Sequence, residues 1–258
     1  MLFRSTHNWV YLIYFLSILP IIPAVMFMLS PMPDMSGEGE HTVSKTDSKK
    51  RKIGLFLCLL CIFFGSCSEV AMSSWISTYI ENALGIDKTV GDILGAAMFA
   101  VLLGLGRIFY AKYGKSIFKT LLFGMIGAAA CYIVVGLSSN SIVALVFCAL
   151  TGLCTSMLWP GTLVMMEENI KGASVAAFAL MASGGDLGAS VAPQLLGFIV
   201  DKVSVSDFAF NISSTLNITP EQIGLKIGML VTSLFSVIGI VIVVISFKYF
   251  TKQKSKRG

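Results

Sequence analysis

A chain of 258 residues that is 55% apolar and only 13% charged, with a mean hydropathy of +0.83, is not an ordinary soluble domain, since such domains carry roughly 25% charged residues. The composition points to an integral membrane protein in which lipid is the solvent and each backbone polar group must be satisfied internally. The net charge of +5 matters less than its distribution, and with His7 and His41 as the only histidines no His-based metal site, nucleophilic triad or cofactor site is expected.

Seven apolar segments are long enough to span the bilayer as helices, which takes about 20 residues each. They cover roughly 9–29, 53–80, 90–110, 117–137, 142–164, 173–200 and 225–247. The first is too long for the apolar region of a signal peptide and has no small-residue cleavage site after it. Between the first and second lies 30–52, a polar stretch with Pro, Gly and Ser that closes on Lys49-Lys-Arg-Lys52 and reads as a flexible loop. All six cysteines (Cys58, Cys61, Cys67, Cys131, Cys148 and Cys154) fall in apolar runs and read as small buried hydrophobes, Cys58-x-x-Cys61 included. With 30–52 placed inside, fifteen of the 19 Lys and Arg fall inside and four (Arg4, Lys88, Lys202 and Lys226) outside. Basic loops stay cytoplasmic, so the N-terminus is expected outside and the C-terminus inside, in the plasma membrane. The expected outside loop, 201–224, carries Asn211-Ile-Ser and Asn217-Ile-Thr, which match the glycosylation acceptor pattern.

Ionisable groups within a span are functional hypotheses by default, and two carboxylates qualify. Glu69 lies roughly 24 Å along its helix from Ile53, with Ser66, Ser73 and Ser77 on the same face, a polar stripe suited to a cavity lining. Trp75 and Tyr79 follow toward the outer end, either as an interfacial aromatic belt or as stacking groups for a substrate. Asp186 lies roughly 20 Å along its helix from Ala173, near the midplane, and shares a face with Ser190 and Gln194. Gly184-x-x-x-Gly188 and Gly185-x-x-x-Ala189 supply small-residue packing beside it, and Pro193 frees the carbonyl of Ala189. Asp186 reads as a protonatable coupling group, as an acceptor for a polar substrate, or as an acid hydrogen-bonded only to hold the bundle together. Trp159 and Gln194 are weaker candidates for stacking and hydrogen bonding. Thr151, Thr155 and Thr162 follow one face of the fifth span, where Pro160 predicts a kink. Gly114-Lys-Ser116 is not a P-loop and Gly104-Leu-Gly106 is not a dinucleotide fingerprint, because both require a glycine where Phe109 stands. No catalytic or metal-ligating residues are therefore expected, and no enzyme.

The stretch Gly104-Leu-Gly-Arg107-Ile-Phe-Tyr-Ala-Lys112-Tyr-Gly114-Lys115 resembles the second-half copy of the cytoplasmic loop motif of the major facilitator superfamily. The acidic residue common in the first-half copy is absent here. The Glu-to-Trp helix of the second span resembles the seventh helix of that superfamily. The Gly-Gly-Asp helix resembles its eleventh, as in sugar-porter branches related to fucose permease. The resemblance implies an all-α membrane protein whose seven helices correspond to helices 6–12 of a twelve-helix fold. Residues 1–29 would be the last helix of an N-terminal half, 30–52 a cytoplasmic linker, 53–247 the C-terminal six-helix half, and 248–258 a basic tail. It further implies secondary transport of a small polar solute such as a sugar, with protons as the coupling ion. The partners would be the lipid bilayer, the solute and a missing N-terminal half; nucleic acid is not among them. Glu69, Ser73, Trp75, Trp159, Asp186, Ser190 and Gln194 would line the pathway. The alternative is a non-transporting membrane interaction protein or an inactive half. A retinal protein and a G-protein-coupled receptor fit poorly, since the last span has Lys226 only at its edge and Arg107 lacks an acidic neighbour.

Overall fold

The computed structural model describes Tyr14, Ile18 and residues 21–29, 45–170 and 173–255. It separates into two compact units, 1–42 and 43–258. In the first unit the described helix is α1 (Ile21–Leu29). The rest of the expected first span lies outside the described residues, apart from helical Tyr14 and Ile18.

Among the described residues of the second unit, six helices are long and apolar enough to cross a membrane. The first is α2 (Lys45–Thr78), 34 residues without proline, prolonged by a π-helical stretch, Tyr79–Ala83. At 1.5 Å per residue it is about 51 Å long, against about 30 Å of hydrocarbon. The surplus accommodates Lys45–Lys52, which form its first turns. That part of the stretch expected to be loop is helical, while 30–44 lie outside the described residues. Gly85, at φ +67°, stops the helix in a backbone conformation that glycine adopts without strain.

Asp87 starts the next span by accepting hydrogen bonds from the Thr89 and Val90 amides, at 2.9 and 3.4 Å, as an N-cap should. This span runs through α3 (Lys88–Gly91), a π-helical stretch (Asp92–Ala97) and α4 (Met98–Tyr113). Helix α5 covers Ile117–Leu137. Asn140 caps α6 (Ser141–Thr155), and after a break at Ser156–Met157 the same span continues as α7 (Leu158–Asn169). The kink expected at Pro160 is thus an interruption just ahead of it. Helix α8 (Val175–Ser204) carries Pro193 inside it. The connection expected to be an outside loop is largely a helix, α9 (Asp207–Leu216), closed by Asn217 in the left-handed conformation at φ 56°. The last span is α10 (Pro220–Ser255).

Lipid tails are as apolar as leucine, so burial of apolar surface does not by itself bring helices together; close packing and hydrogen bonds do. The most extensive packing is between α2 and α8. A Cβ at Gly188 would lie 2.3 Å from the Phe63 carbonyl oxygen, and one at Gly184 would lie 2.3 Å from the Leu59 side chain. The small-residue face read from the sequence is therefore the seam of the bundle. Gly152 makes the corresponding approach between α6 and α4, where a Cβ would lie 2.2 Å from the Phe99 carbonyl oxygen. Buried hydroxyls find partners across helices. Tyr132 donates to the Ser68 carbonyl at 2.9 Å, Tyr79 donates to the Val135 carbonyl at 2.6 Å, and Ser68 pairs with Ser236 at 2.8 Å. Tyr79 is fully buried, so it belongs to the core and not to an interfacial belt. The six cysteines are free thiols, five of them buried and Cys154 half-buried. Cys58 and Cys61 pack among Ile62, Leu121 and Phe250.

Substituting Gly188→Val should lower the unfolding midpoint in detergent strongly, because overpacking costs about 1–3 kcal/mol and backbone is the atom in the way. Gly104→Ala should leave the midpoint nearly unchanged, since nothing lies within 4 Å of the added methyl. Equal midpoints for the two variants would contradict the seam.

Candidate functional site

Pro160 has no N–H to offer the carbonyl four residues earlier, which is that of Ser156. Arg107 fills the vacancy: its Nε donates to the Ser156 carbonyl at 3.0 Å. Gly106 makes this possible, because a Cβ there would lie 2.3 Å from the Ser156 hydroxyl. The other face of the same guanidinium meets α2, with Arg107 Nη2 3.6 Å from Glu69 Oε1. Glu69 Oε2 is buried and has no hydrogen-bond partner among the described residues. One cation thus serves two helices, a broken one that needs a donor and an apolar one that carries a charge.

The sequence assigned Arg107 to a loop motif and Glu69 to a cavity lining, whereas the structure pairs them. Arg107 lies well inside α4, seven residues before Gly114. The remaining motif residues separate from it. Gly104 faces open space, while Lys112, Gly114 and Lys115 are exposed at the end of α4. The Glu69 stripe divides as well. Ser66 is buried beneath Gly185 and Gly188. Ser77 hydrogen-bonds Asp92. Ser73 alone of the three serines is exposed, its hydroxyl turned back to the Val70 carbonyl at 3.2 Å.

On α8 the stripe is continuous. Asp186, Ser190 and Gln194 are all exposed, and Ser183 extends the row by one turn. The Ser190 hydroxyl donates to the Asp186 backbone carbonyl at 2.8 Å. No hydrogen bond or ion pair reaches the Asp186 carboxylate from the described residues. Leu187, Val191 and Phe198 are exposed on the adjoining sector of the helix, so polar and apolar surface lie side by side.

The two tryptophans flank this helix. Trp75 donates its indole N–H to the Pro193 carbonyl at 3.1 Å and rests its ring against Gly197, bracketing α2 to α8. A Cβ at Gly185 would lie 2.4 Å from the Trp159 indole nitrogen, which places Trp159 beside the residue preceding Asp186. The threonine face of the fifth span does not join them. Thr151, Thr155 and Thr162 are fully buried, each hydroxyl bonding back to a carbonyl of its own helix at 2.8, 3.0 and 2.6 Å.

A family model described as Major Facilitator Superfamily matches residues 1–193. The chain belongs to the major facilitator superfamily. It is an integral membrane protein of a transporter family, and membrane transport of a solute is its general activity. The matched region holds Glu69, Arg107, Trp159, Asp186 and Ser190 and ends at Pro193, ahead of Gln194 and α10. No curated protein and no solved structure matches the chain.

The shared guanidinium makes a stability prediction. Arg107→Gln strands the Glu69 carboxylate, and leaving a buried charged acceptor without a partner costs about 1–3 kcal/mol or more. Glu69→Gln combined with Arg107→Gln should therefore be more stable than Arg107→Gln alone. An unfolding series in detergent for the two single variants and the double variant reads this directly, and additive losses would show that the pair is uncoupled.

Proposed function

We propose that the 43–258 unit is one half of an alternating-access transporter for a small polar solute. A sugar is the first class to test, and protons are the coupling ion. The carrying observation is the exposed row Ser183, Asp186, Ser190 and Gln194 on a membrane-spanning helix. Turned to hydrocarbon, a carboxylate near the midplane costs at least about 2.5–3.5 kcal/mol. The row is favourable only against water, solute or protein. A second set of helices facing α8 would form the opposite wall of that cavity, as in inverted-repeat transporters with midplane sites. Residues 53–247 would then correspond to helices 7–12 of the fold and 9–29 to helix 6. In this reading Asp186 and Ser190 contact the solute, Ser73, Trp159 and Gln194 line its path, and Glu69 with Arg107 holds the wall behind. Trp75 sets the spacing of α2 and α8. The basic end of the bundle faces the cytoplasm, in accord with the distribution of Lys and Arg, and the membrane is the plasma membrane. The sugar assignment rests on the likeness of the Gly-Gly-Asp helix to sugar-porter branches.

The test is counterflow of radiolabelled hexoses in proteoliposomes holding the chain together with an upstream five-helix segment. Uptake should fall at least tenfold in Asp186→Asn. The unfolding midpoint should not move, because exposed substitutions usually stay within about 0.5 kcal/mol. Unchanged uptake in Asp186→Asn would remove it from the pathway. No uptake in any pairing would leave the interaction-protein reading in its place.

A further inference from the structure

At the basic end of the bundle a cavity of about 620 Å³ opens between α4, α5 and the break ahead of α7. Its rim is cationic and hydroxylic, with Lys115, Lys119, Ser116 and Thr120. Its wall is apolar, with Phe109, Phe123 and Leu153 among its members, and all three are exposed. No carboxylate lines it. Glu167 and Glu168, the acidic residues of this end on α7, are exposed and outside the lining. Neither Lys115 nor Lys119 makes an ion pair among the described residues. Ser116 precedes α5 without its side chain capping the first turn, so the amides of that turn receive no hydrogen bond from it. Lys112 stands alongside, its ammonium 5.3 Å from the centre of the Tyr113 ring. The cavity is remote from the transport row in connectivity, because α8 packs chiefly against α2 and α10, not α5.

We propose that this cavity is a binding site for one anionic phospholipid, the headgroup phosphate held by Lys115 and Lys119 and an acyl chain laid along Phe123 and Leu153. Charge complementarity selects the headgroup, since basic pockets at the ends of spans attract anionic lipids. The shape selects a lipid over a free anion. An inorganic phosphate would use the rim and leave the wall unoccupied, whereas an amphiphile covers both. Neither argument depends on the solute or on which end faces the cytoplasm, so the proposal stands or falls apart from the transport reading.

Native mass spectrometry of the full chain, titrated with phosphatidylglycerol, phosphatidylcholine or inorganic phosphate, tests it. One phosphatidylglycerol should be retained in preference to phosphatidylcholine. Lys115→Gln with Lys119→Gln should weaken retention about thirtyfold, which corresponds to about 1 kcal/mol per lysine. Lys252→Gln with Lys254→Gln, a control on the tail at the same end, should weaken it little. All variants should share one unfolding midpoint, because the four lysines are exposed. Equal binding of the two lipids would overturn the site, as would equal losses in the two double variants. Displacement of phosphatidylglycerol by phosphate at matched concentration would show that the rim binds a bare anion and would also overturn it.

Discussion

The approach of α2 to α8 is the constraint on which the rest depends. Between helices in lipid the attraction comes from contact, and contact energy falls away within an ångström of separation. Gly188 lets α8 meet the Phe63 backbone of α2, while Gly184 and Gly185 make room for the Leu59 side chain of α2 and the Trp159 indole of α7. Once that face of α8 is occupied, its geometry is fixed all the way round. Asp186, Ser190 and Gln194 are rotated away from the seam, and Leu187 and Phe198 fall farther round. The position of the carboxylate therefore follows from the position of the glycines. The Trp75 bracket to the Pro193 carbonyl holds the same seam one and a half turns farther along.

Polar groups in the bundle fall into two kinds. Some are satisfied at home, such as the threonines of α6 and α7, whose hydroxyls return to carbonyls of their own helix, and the tyrosines that reach a neighbour's backbone. These hold the fold and ask nothing of a ligand. Others find no partner among the described residues, and Asp186 is the clearest of them. A membrane helix carries an unpartnered carboxylate only where the surroundings supply what the protein withholds. On the proposed transport reading that supply is a hydrated passage.

Much of this was legible beforehand because lipid leaves few choices. The number and order of spans in 53–247 followed from length and hydropathy, and the packing role of Gly184 and Gly188 followed from their spacing. The break near Pro160 has a local chemical signature. Helix α9 was not foreseen, because ten mixed residues between two spans look like loop until the lipid surface and flanking helices are present to receive them. The Glu69–Arg107 pair was missed for a different reason. Charge counting assigns a basic residue to a side of the membrane, and Arg107 lies near enough to the basic end to be counted there. The signal was available elsewhere: Pro160 strips the Ser156 carbonyl of its donor, and an arginine within the neighbouring span is the kind of group that replaces it. The serines of α2 misled in the opposite direction, since periodicity places them on one face but does not reveal that Asp92 and Gly188 occupy part of it.

Arg107 also sets a rule about water. Its side chain, 45% exposed, holds two obligations at once, and each partner left unmet by its departure loses a charge-assisted contact. The guanidinium can swing away only when something else arrives to hydrogen-bond the Ser156 carbonyl and to face the Glu69 carboxylate. In a membrane that substitute is solvent. Motion between α2, α4 and the helix break is thus tied to the arrival of another donor, and the half-exposed Arg107 stands where such a donor can reach it.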